Sequence, residues 1–90
     1  MPRYIVQRTF PNGFQIPIDN AGADTLRAMV RRNGELGVTW IHSYVSDDKT
    51  AAFCVCDAPT PDAIRASAAA NQLPVGQITP VSVLDPYFYR

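Results

Sequence analysis

One histidine and two cysteines are the residues of this chain best suited to hold a metal ion or to act on a substrate. His42 lies in Val38-Thr-Trp-Ile-His-Ser-Tyr-Val-Ser, and Cys54 and Cys56 lie in Lys49-Thr-Ala-Ala-Phe-Cys-Val-Cys-Asp. Both runs are rich in β-branched and aromatic residues and are joined through Asp47-Asp48, so they read as the two strands of a hairpin. Regular alternation, with Ile41, Val45, Phe53 and Val55 turned toward a core, sends His42 to the other face, opposite or near Cys54. Trp40 and Tyr44 flank it there, and Cys56 follows one pair along. One imidazole beside one or two thiols suits a borderline metal such as nickel, zinc or copper, and a twofold dimer would double the ligand count. The sequence thus offers His42 and Cys54 as metal ligands, and Trp40, Tyr44 and Cys56 as contacts for a small ligand. The same pattern also fits a hydrogen-bonded histidine and two inert cysteines packed in an interface.

Other chemistries find less support. Cys54 and Cys56 are two apart, which is neither the Cys-x-x-Cys spacing of redox and zinc sites nor a disulfide framework, so reduced thiols are expected. A thiolate paired with His42 would lack an oxyanion turn. Asp47 and Asp48 belong to the hairpin turn, and Asp57, Asp62 and Asp85 to the ends of elements, where turn and cap roles explain them. No glycine-rich phosphate loop occurs.

The elements that must position these residues follow from local pattern. Arg3 to Thr9 has strand composition, with Tyr4 and Val6 alternating with Ile5 and Gln7. Phe10 to Asp19, with two prolines and Asn12-Gly13, is an extended connection held to the body by Phe14, Ile16 and Ile18. Asp19 or Asn20 caps a helix with Ala23, Leu26, Met29, Val30 and Leu36 near one face, and Gly37 ends it. After the hairpin, Thr60-Pro61-Asp62 supplies a cap, a prearranged first residue and a negative charge for a second helix running to about Gln72. Gln77 to Leu84 is a last strand, and Pro80 assigns it to a sheet edge. The tail aromatics Tyr87, Phe88 and Tyr89 need something to pack on.

Strand, helix, strand, strand, helix, strand is the α+β, ferredoxin-like βαββαβ order, with both helices on one face of an antiparallel sheet in the order 4-1-3-2. The 90 residues form one domain, 1–90, with 47% apolar and 18% charged residues. The net charge of zero provides no field for phosphate backbones or anionic lipid, and no apolar run reaches membrane-spanning length. No nucleic-acid and no membrane partner is expected, and the start Met-Pro-Arg-Tyr, without a signal-like apolar run, points to the cytoplasm. The sheet face left bare by the helices predicts a homodimer.

The run Gly37 to Lys49, followed by Phe53-Cys and Asp57-Ala-Pro-Thr-Pro-Asp-Ala-Ile-Arg, resembles a family of small bacterial proteins catalogued as a domain of unknown function. Its described member is an actinobacterial nickel-binding protein. The Met1-Pro-Arg-Tyr-Ile-Val start and the Leu84-Asp-Pro-Tyr-Phe-Tyr-Arg end extend the resemblance over nearly the whole chain. The resemblance implies a ferredoxin-like fold that dimerises through its sheets, nickel as the cofactor, and His42 and Cys54 at the family's His and Cys strand positions. Further histidines that the resemblance leads one to expect in the second helix have no counterpart in residues 65–71. Fold likeness alone adds the cofactor-independent enzymes of the dimeric α+β barrel type, which enclose small molecules. Three functions therefore compete: a metal-binding protein, a small-ligand protein or enzyme, and a dimeric interaction module. A closed apolar pocket with one polar group would favour the second.

Overall fold

In the computed structural model, which describes residues 1–14 and 16–88, the order is β1 Arg3–Thr9, α1 Asn20–Glu35, β2 Thr39–Val45, β3 Ala51–Asp57, α2 Pro61–Ala70 and β4 Ile78–Val81. The strands form one antiparallel sheet in the order β2-β3-β1-β4, so the expected ferredoxin-like topology is the observed one. Strand β4 pairs only with β1 and stands at the edge, where Pro80 loses no ladder bond on its outer side.

Local chemistry sets the helix ends. Asp19 caps α1, its carboxylate accepting from the Gly22 N–H at 2.9 Å. Gly37, at φ 76°, takes the left-handed conformation just beyond the helix and turns the chain into β2. Thr60 caps α2 by accepting from the Ala63 N–H at 3.2 Å, with Pro61 opening the helix and Asp62 in its first turn. Gly22 marks a close approach, because a Cβ there would collide with the Pro17 carbonyl. The connection before α1 is thereby pressed onto the first turn of the helix.

The core lies between the sheet and the helices. It gathers Tyr4 and Val6 of β1, Ala52, Cys54 and Cys56 of β3, Val38, Ala58, and Ile64 of α2. Among the described residues only Ile64 and Val6 of the larger side chains are completely enclosed, so the core is thin for its span. On α1 the inner positions Ala23, Leu26 and Met29 are half-buried, but Val30 and Leu36 are exposed, contrary to the expected stripe. The tail aromatics Tyr87 and Phe88 pack on nothing substantial, being 88% and 75% exposed. Tyr89 lies outside the described residues.

The hairpin departs from regular alternation in one place. Trp40 pairs with Cys56 and His42 with Val55, leaving Ile41 without a partner as a β-bulge. Residues directly opposite share a face. Trp40 therefore joins Cys54 and Cys56 toward the helices, while His42 turns to the open face beside Val55, and Tyr44 beside Phe53. The expected placement of His42, Trp40, Cys54 and Cys56 together on the bare face is corrected here. So is that of Phe53 and Val55 on the helix face. Across the open face, Arg3 of β1 grips Asp57 of β3 with bonds of 2.8 and 3.2 Å.

Candidate functional site

His42 is exposed, and its ring meets Tyr44 edge-on with centroids 5.2 Å apart. Cys54 and Cys56 are buried on the opposite side of the sheet as free thiols. Burial, with smaller contributions from the neighbouring Cys54 and Asp57, pushes the Cys56 thiol up to about 11, so at neutral pH it stays protonated and is a poor ligand or nucleophile. No group of three His, Cys, Asp or Glu side chains converges among the described residues. The expected pair of ligands, His42 and Cys54, is thus split between two faces, and the donors of one chain do not fit a nickel or zinc ion.

A different set of residues does converge. Helix α1 stands off the sheet, and the thin core opens into a cleft of about 460 Å³ between them. Its walls are mainly apolar, with Leu26 and Met29 from α1, Trp40 and Val45 from β2, and Phe14 and Ile16 from the connection pressed onto the helix. The Trp40 indole N–H is already satisfied, donating to the Ser43 hydroxyl at 2.9 Å, so its ring is free to serve as wall. Near the far end Asn71 of α2's C-cap donates to the Asn33 side chain of α1 at 2.9 Å, tying the two helices together.

The cleft also contains a charge. Arg8 follows Tyr4 and Val6 on the helix face of β1 and is 7% exposed. Its Nε donates to Cys54 Sγ at 3.4 Å and its Nη1 to the Pro74 carbonyl at 2.7 Å. The sequence reading missed Arg8, although the alternation that buries Tyr4 and Val6 extends to it. Of the residues expected to touch a ligand, Trp40 and Cys56 line this cleft and Tyr44 does not.

A four-stranded antiparallel sheet carrying two helices in βαββαβ order defines a protein of the ferredoxin-like α+β class. The chain belongs to the family described as nickel-responsive proteins, SCO4226-like, whose sequence model matches residues 4–81. It is also similar in structure to SCO4226 of Streptomyces coelicolor A3(2), known from a crystal structure analysis. The TM-score is 0.72 at 10% sequence identity, over 92% of this chain and 99% of that one. At that identity the likeness is one of fold. No curated protein matches the chain. No helix among the described residues is long and apolar enough to cross a membrane.

Proposed function

We propose that this member of the nickel-responsive family is a cytoplasmic small-molecule-binding protein that holds its ligand in the cleft between α1 and the sheet. The observation that carries this reading is an apolar cavity of about 460 Å³ occupying the place where a core should be. Small-molecule sites are typically concave, mostly apolar and about 300–1,000 Å³ in volume, with a few fixed polar groups. The cleft has those features: a wall of Leu26, Met29 and Trp40 and a single buried cation, Arg8. Burying an apolar ligand there adds to the thin core at about 25 cal/mol per Å² removed from water. The ligand would therefore stabilise the fold by mass action.

Trp40 is the only tryptophan and reports on the cleft directly. Titrating the protein with 1-octanol, followed by Trp40 fluorescence and thermal melting, is expected to give a saturable change in emission and a rise in Tm. Ala23→Phe, which fills the cleft from α1, is expected to abolish both. Unchanged emission and Tm in the wild-type protein would overturn the proposal.

A second reading, compatible with the first, is a homodimer joined through the open face of the sheet. Tyr44 and Phe53 stand there 65% and 41% exposed, a costly arrangement in water for two facing aromatic side chains.

A further inference from the structure

Arginine is charged at any ordinary pH, and a buried charge without a counter-charge is costly. Three of the chain's other arginines have answered this locally: Arg3 with Asp57, Arg27 with Asp24 and Arg65 with Asp62. Those pairs are at least partly exposed, whereas Arg8 is buried and forms no ion pair among the described residues. Its two partners, a thiol and a backbone carbonyl, take one N–H from Nε and one from Nη1. A guanidinium has five N–H groups. The remaining ones, the second on Nη1 and both on Nη2, have no protein acceptor among the described residues. Nη2 thus has neither of its N–H groups engaged and can donate charge-assisted bonds to a carboxylate. Asp19, the one carboxylate among the residues lining the cleft, stands on the helix side at the start of α1, where its Oδ1 is engaged in capping the helix.

Taking the cleft as the binding site proposed above, we infer that its ligand is a small apolar molecule bearing a carboxylate, which accepts hydrogen bonds from Nη2 of Arg8. The bonds to Cys54 and Pro74 hold the guanidinium plane in place before the ligand arrives, so little side-chain freedom is lost on binding. Leu26, Met29 and Trp40 take the apolar body. The ligand supplies the ion-pair partner that Arg8 lacks among the described residues.

The test is a pair of titrations at neutral pH, octanoate against 1-octanol, on wild-type protein and on Arg8→Met, read by Trp40 fluorescence with circular dichroism as the check of folding. Octanoate is expected to bind the wild-type protein at least about tenfold more tightly than octanol, the usual margin for a hydrogen bond to a charged group. Arg8→Met is expected to abolish the preference for octanoate over octanol, and Arg8→Lys to retain part of it. Equal affinity of the wild-type protein for the two ligands would overturn the inference and leave the cleft standing, as would a folded Arg8→Met that still prefers octanoate. Binding of neither ligand would remove the cleft itself, and this inference with it. Should Arg8→Met fail to fold, the wild-type comparison decides alone.

Discussion

The chemistry of His42 is decided by what it faces. The imidazole lies on the open side near Tyr44 and Val55, and the sheet separates it from both thiols. Nickel added to the protein is therefore expected to meet His42 alone, broadening NMR signals of His42, Tyr44 and Val55 without a thiolate-to-nickel absorption band. A thiolate band would overturn the assignment of Cys54 and Cys56 to the helix face. Asp48 illustrates a carboxylate used structurally. The Thr50 and Ser46 hydroxyls, each at 2.7 Å, and the Thr50 N–H at 3.0 Å hold its carboxyl down at about 2. A folded pKa below the unfolded value adds stability that is complete above about pH 4 and is lost as pH falls through about 2. Wild-type protein is thus expected to exceed Asp48→Ala in stability at pH 6, with the gap closing toward pH 2 in urea titrations. A gap that does not change with pH would show that the hairpin turn does not depend on the ionised form.

Among the elements, β2 carries the decisive irregularity. Strand periodicity would place Trp40 and His42 on one face, and the unpaired Ile41 places them on two. Removing Ile41 leaves Trp40 and His42 as successive residues of a regular strand, still opposite Cys56 and Val55. The deletion is therefore expected to fold with wild-type circular dichroism and a Tm within a few degrees. Deletion of Ser43 would instead invert Tyr44 and Val45 and is expected to unfold the hairpin. If the two deletions behaved alike, the bulge would not be what sets the faces. The helix ends, by contrast, were legible in sequence, because a cap is a bond between residues three apart. Asp19 with Gly22 and Thr60 with Ala63 needed no knowledge of the rest of the chain.

At the scale of the molecule, the cleft on the helix side and the open face of the sheet both present apolar side chains. Association through the open face predicts a particle of twice the 9.9 kDa chain mass in sedimentation at micromolar concentration. The double variant Tyr44→Lys, Phe53→Lys is expected to be a folded monomer that still binds octanol. A wild-type protein sedimenting as a monomer would exclude that dimer. The element order, the edge position of β4, both helix caps and the strand order were all readable from the sequence, since each follows from contacts within an element or from the handedness of its connections. The face to which His42, Trp40, Cys54 and Cys56 turn was not. In β2 and β3 nearly every residue is apolar, aromatic or small, so neither face had a pattern to choose it, and register came from the ladder between distant strands. Arg8 was hidden for a related reason. A strand shows which residues share its face, but only the packing of α1 and α2 over that face determines that an arginine there is buried and that a cleft remains in front of it.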